Sequence, residues 1–275
     1  MGLAALLLTG CAAVPTPPSL VVGATPDAES LVLAHLYAGA LRGSGVAAYV
    51  EMTHDPISRL DSGTLTVVPG FTGRLLEAFA PGVAARSDRQ VYWAMVGALP
   101  EGIAAGDYAM TAADKPALAV TKPTAADWGG TGLSELPRHC ESLVLGGLAG
   151  VRAPSTVGRC RLPKVREFPD NTALFAALRG KQISAAWTST ADPDIPGDSS
   201  DIVVLTDGRP ALVRAENVVP LYRRNEVAEP QLLAINQVAG VLDTAALADM
   251  RRQVGGGADP QTVADAWLAE HPLGR

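Results

Sequence analysis

Apolar residues along the chain recur with two periods, and the alternation between them predicts the fold. Ser19 to Ala24 is a short apolar run ending near Gly, suited to a buried parallel strand. Pro26-Asp27-Ala28-Glu29 then opens a helix. Leu31, Leu33, Ala34, Tyr37, Ala38 and Leu41 fall near a 3.6-residue period, and Gly43 stops it. Val46 to Met52 reads as a strand, Pro56 to Leu60 as a short helix, Thr64 to Val68 as a strand, and Gly73 to Phe79 as a helix. This βαβαβ order predicts a parallel sheet with helices on its faces. A helix over Arg89 to Leu99 and a strand over Pro116 to Lys122 follow.

A second alternation comes next. Leu133 to Leu136 suits a short helix, Ser142 to Gly147 a strand, Thr172 to Gly180 a helix, and Gln182 to Thr188 and Asp201 to Asp207 two strands. Between the last two, Ser189 to Ser200 is rich in Asp, Pro and Ser and reads as an exposed loop. The end is helical, over Glu229 to Leu242, Thr244 to Val254 and Pro260 to Glu270. The expectation is an α/β protein of two lobes with a ligand cleft between them. Residues 20–111 plus 213–275 form the first lobe and 112–212 the second. Open α/β sheets bind small ligands beyond the carboxyl ends of their strands. That rule places Pro69-Gly70-Phe71-Thr72-Gly73, read as a turn after the third strand, at the rim of the cleft.

Composition narrows the class. With 48% hydrophobic and 18% charged residues in 275, the chain buries a sizeable core. A net charge of -6 argues against nucleic acid as a partner, since phosphate neutralisation needs Lys and Arg. The richness in Ala, Gly and Pro suits high-GC coding, as in actinobacteria. At the N-terminus, Leu3 to Leu8 is too short to span a bilayer and suits the apolar core of a signal peptide. Export makes the pair Cys140 and Cys160, twenty residues apart, a disulfide in preference to a metal site, since His139 has no second ligand pair at zinc spacing.

Catalytic patterns are missing. The sequence has no G-x-S-x-G, no P-loop, no HExxH, and no G-x-G-x-x-G after a strand. His35, His54, His139 and His271 are scattered, and Asp192 and Asp194 sit in a loop. An exported two-lobed chain without a nucleophile–base set reads as a binding protein rather than an enzyme, with neither cofactor nor metal.

The ordered blocks VVGATPDAESLVLAHLYAGAL, LDSGTLTVVPGFTG, PALAVTK, LSELPRHCESLVLGG, DIVVLTDGRPALVRAENVVP and RRQVGGGADPQTVADAWLAEHPL carry a resemblance. From Val21 to Leu273 the chain resembles the substrate-binding proteins of ABC importers for glycine betaine, choline and related osmoprotectants. Leu8-Thr9-Gly10-Cys11 likewise resembles the bacterial lipobox, which implies lipid on Cys11, with residues 1–19 as signal peptide and tether. The family resemblance implies a monomeric, extracytoplasmic, lipid-anchored receptor that hands a small solute to a membrane permease.

It also implies a site. Such proteins hold a quaternary ammonium group among aromatic faces. Phe71 stands where the family has a cage tyrosine, followed by Thr72. Pro116 and Glu216 stand where two further tyrosines are expected, with Asn217 kept, and Arg74 stands in place of a threonine. Arg152 is the counterpart of an arginine holding an anionic tail. Trp187 is either a replacement cleft wall or a core residue, and Thr25 completes the ligand set. On this reading Phe71 makes the main aromatic contact and Glu216 is the charged partner of a cationic solute. The alternative, prompted by the missing tyrosines, is a binding-protein fold that has lost transport and acts as an envelope interaction or signalling lipoprotein.

Overall fold

The computed structural model describes residues 19–151, 153–191 and 195–274. The lipobox, Cys11, Arg152, Asp192 and Asp194 therefore lie outside the described residues.

The first alternation gives β1 (Leu20–Ala24), α1 (Ala28–Gly43), β2 (Ala48–Met52), α2 (Pro56–Asp61), β3 (Val67–Phe71), α3 (Thr72–Phe79), α4 (Asp88–Gly97) and β4 (Ile103–Ala105). The second gives β5 (Pro116–Thr121), α5 (Lys122–Trp128), β6 (Leu145–Leu148), a small hairpin of β7 (Thr156–Val157) and β8 (Cys160–Arg161), then β9 (Arg166–Phe168), α6 (Asn171–Arg179), β10 (Ala185–Ser189) and β11 (Ile202–Val204). The chain then returns as β12 (Val218–Arg223) and closes with α7 (Glu229–Val241), α8 (Thr244–Gly255) and α9 (Pro260–Glu270).

Two five-stranded sheets result, in the orders β2-β1-β3-β12-β4 and β11-β5-β10-β6-β9. The molecule is the two-lobed α/β protein that the pattern predicts. In the first sheet β1, β2 and β3 run parallel and β12 inserts antiparallel between β3 and β4. Helix α1 is buried on most sides: Val32, Leu33, Leu36, Tyr37 and Leu41 are at most 1% exposed. It lies against the sheet on one side and α7, α8 and α9 on the other. A second core, with Leu60, Leu75, Leu76, Val91 and Met95, fills the opposite face under α2, α3 and α4. In the second sheet, Leu174, Phe175 and Leu178 of α6 cover one face. Leu118, Leu145, Trp187 and Cys160 belong to the core of the other. No single helix among the described residues is long and apolar enough to cross a membrane.

Residues 106–115 lead from the first sheet to the second, and residues 205–217 lead back. The two crossings lie antiparallel: Ala113 bridges Asn217, the Asp114 N–H donates to Glu216 O (2.9 Å), and the Val218 N–H donates to Ala112 O (3.0 Å).

One element differs from expectation where it matters. The third strand does not end at Val68; it continues through Pro69 and Gly70 to Phe71, and α3 starts at the next residue. The expected rim turn over residues 69–73 is thus a strand end running straight into a helix. Pro69 is tolerated because it faces Pro220 of β12, whose carbonyl turns away to accept from the Gly106 N–H (2.8 Å). At such a pair neither residue's missing N–H is asked to bond its neighbour across the ladder.

Candidate functional site

The carboxyl ends of β1 and β3, the amino ends of α1 and α3, and the two crossings converge on one region, and most of the expected ligand residues lie there. Thr25 follows β1. Its N–H donates to Ser30 Oγ (2.9 Å) and its hydroxyl to Asp27, the cap of α1. Thr72 and Asn217 tie β3 to the crossings. The Thr72 N–H donates to Asn217 O (2.9 Å), the Asn217 N–H to Thr72 Oγ1 (3.1 Å), and Asn217 Nδ2 to Ala109 O (2.9 Å). Both side chains are buried, and Asn217 Oδ1 has no partner. Their hydrogen bonds run within the protein, so their observed work is to hold the two lobes' connections together.

Phe71 was expected to offer an open aromatic face. It is 4% exposed and belongs to the core around α1. The Arg74 guanidinium lies over its ring, 4.3 Å from the centroid. The cause is local: α3 begins at Thr72, so Arg74 sits in its first turn and folds back over the last strand residue.

Arg74 is held there by carboxylates. Nη1 donates to Glu29 Oε2 (2.8 Å) and Nη2 to Asp114 Oδ2 (2.5 Å). Arg251 of α8 closes the group, with Nη1 3.2 Å from Glu29 Oε1, 3.1 Å from Ala191 O and 3.7 Å from Asp114 Oδ1. The side chains of Glu29 and Asp114 are 11% and 5% exposed, that of Arg74 51%. Burial, reinforced by the Asp114 charge, pushes the Glu29 carboxyl up to about 7 against the pull of both arginines.

Glu216 does not present itself as a ligand's charged partner. Its Oε2 accepts from the Arg74 N–H (2.8 Å), and the Gly73 N–H also points at the carboxylate. Phe71, at the N-cap position, offers no side-chain acceptor to α3, so Glu216 satisfies the orphan donors from 142 residues away. Burial raises its carboxyl to about 7 while the Arg74 N–H opposes. Gly73 leaves this contact no slack: a Cβ there would stand 2.5 Å from Ala215 O and 2.6 Å from Glu216 Oε1.

Trp187 lies away from this region. It is 7% exposed in the core of the second lobe, beside Gly147, and its Nε1 has no hydrogen-bond partner. Of its two readings, the core residue is the one observed. Pro116 is half-buried at the start of β5. Cys140 and Cys160 form the expected disulfide, their Cα atoms 5.8 Å apart.

The sequence reading missed Glu29, Asp114 and Arg251. Glu29 did carry a signal, since it shares a helix face with Val32, Leu33 and Leu36, and an acid on an apolar stripe asks for a partner. Asp114 and Arg251 carried none, because their partners lie on other elements, 40 residues away for Asp114 with Arg74 and 222 for Arg251 with Glu29.

Two lobes joined by a paired crossing, with a charged cluster at the strand ends, define a two-lobed α/β fold like that of periplasmic binding proteins. Residues 164–270 match the family model described as the substrate binding domain of ABC-type glycine betaine transport system. Solved structures of similar fold include a glycine betaine/carnitine/choline ABC transporter protein (TM-score 0.71, 17% identity, covering 92% of this chain and 98% of that one). Apo YehZ from Escherichia coli is another (0.68, 19%, 92% and 99%), and a choline binding protein in complex with choline a third (0.56, 15%, 92% and 89%). No curated protein sequence matches the chain. The resemblance drawn from the sequence blocks is thus met by both a family model and the fold.

Proposed function

We propose that the chain is the solute-binding component of an ABC importer, capturing a small polar solute between its lobes and delivering it to a membrane permease. The observation that carries this reading is the family-model match over residues 164–270. The fold supports it by bringing strand ends, helix amino ends and both crossings to one place. Lipid on Cys11 would keep the receptor on the extracytoplasmic face of the cell membrane, beside its permease. Replacing Cys11 with Ser should then move the protein from the membrane to the soluble fraction.

The test is a thermal-shift screen of the chain against quaternary ammonium compounds, amines, zwitterions and carboxylic acids. A solute present at 100 times its dissociation constant stabilises the native state by about 2.7 kcal/mol. A saturable rise with one chemical class is the expected result, and no shift with any class would overturn the reading.

One observation favours the second reading, an envelope interaction or signalling lipoprotein: the Phe71 face is already covered. That reading predicts a flat screen. The narrower expectation of a quaternary ammonium solute seated on Phe71 meets the same obstacle.

A further inference from the structure

The contacts of Arg74 are those of a bound organic cation. A positive, planar group lies 4.3 Å over an aromatic ring and donates to two carboxylates that are otherwise nearly buried. Ring quadrupole and opposite charge are the two forces that hold a ligand cation in a pocket. Here the cation is part of the chain. Among the described residues Phe71 enters none of the close ring–ring pairs, and the group over its face is the Arg74 guanidinium.

The other groups around it agree. Arg251 already shares Glu29 and lies near Asp114, so the carboxylates have no unmet demand for a third cation. Glu216, the remaining acid, is bound to the α3 backbone. Without the Arg74 side chain, Glu29 and Asp114 would sit around an uncovered ring with only one arginine between them. Removing one partner of a buried pair leaves an uncompensated charge, which a small cation from solution can relieve.

We propose that Arg74 is the specificity-determining residue of the cleft. Its guanidinium occupies the cation position on Phe71, so the parent protein rejects small organic cations there, and loss of the side chain opens a site for them. This rests on the cleft being the solute site. It adds that the natural solute does not place a quaternary ammonium group on Phe71.

The probes are methylguanidinium, which mimics the deleted group, and choline, which carries a quaternary ammonium. Each is titrated calorimetrically into the parent, Phe71→Ala, Arg74→Ala and the double variant Phe71→Ala/Arg74→Ala, with sodium chloride as the ionic-strength control. Arg74→Ala should bind both probes at least roughly tenfold more tightly than the parent, and the double variant should lose most of that gain. If Arg74→Ala does not fold alone, methylguanidinium should restore its circular dichroism spectrum; a chain left unfolded at saturating probe counts against the proposal. It is overturned if Arg74→Ala gains nothing, or if the parent binds choline and Phe71→Ala weakens that binding. A flat solute screen of the parent together with a gain in Arg74→Ala would sink the transport reading, and with it the specificity role, while leaving Arg74 as the occupant of the cation position on Phe71.

Discussion

Glu216 shows how one residue's position reverses its expected role. Aligned by sequence it stands where a ligand contact is expected; in the fold its carboxylate faces the first turn of α3. Nothing local reveals this, because the partner N–H groups lie 142 residues earlier. The consequence is a pH dependence with a definite sign. Burial raises the folded carboxyl from 4.5 to about 7, so the folded state holds its proton more tightly than the unfolded chain. Stability from this group is complete below about pH 4.5 and is lost as pH rises through about 7. The shift corresponds to about 3 kcal/mol. Glu216→Gln keeps an acceptor for the α3 donors and removes the titration. Urea unfolding at pH 5 and pH 8 should show the parent losing roughly that much more stability than the variant. Glu29, which remains in both proteins, contributes its own slope of the same sign. Equal slopes would mean that Glu216 is not the group responsible.

Among elements, the long periodic ones were legible and the interrupted ones were not. Helix α1 has a capping Asp27, an apolar period and a glycine end, and was placed within two residues. Strand β3 was cut short at Pro69, and β12 was not foreseen at all because Pro220 interrupts Val218 to Arg223. Proline ordinarily argues against a central strand. Here two prolines answer each other across the same ladder, which no reading of either segment alone discloses. The short β7–β8 hairpin was equally invisible, yet the cysteine count foresaw what fastens it. The Cys140–Cys160 bridge ties that hairpin to the short 3₁₀ helices Leu133–Arg138 and Cys140–Ser142. Closing a loop with a sequence separation of 20 stabilises by roughly 3 kcal/mol in the chain-entropy account. Cys140→Ser/Cys160→Ser should therefore unfold at lower denaturant by about that amount, while reductant should destabilise the parent and leave the variant unchanged. An insensitive parent would show that the bridge contributes nothing in solution.

For the whole molecule, the two lobes followed from two alternations and a helical tail, because layer architecture depends on element order more than on exact boundaries. The site was less legible, since it is assembled from α1, α3, α8 and both crossings, which meet only in the folded chain. That assembly leaves a mark at Gly73. Its missing side chain is filled by the returning crossing, with Ala215 O and Glu216 Oε1 inside normal contact distance of any Cβ. Position 73 therefore works as a shim slot between the first turn of α3 and the crossing that returns from the second lobe. A methyl group should favour a helix by about 1 kcal/mol over glycine. In Gly73→Ala it would instead prop that crossing outward, lowering the melting temperature and enlarging the radius of gyration in small-angle scattering. If the variant is more stable with an unchanged scattering profile, the slot is slack.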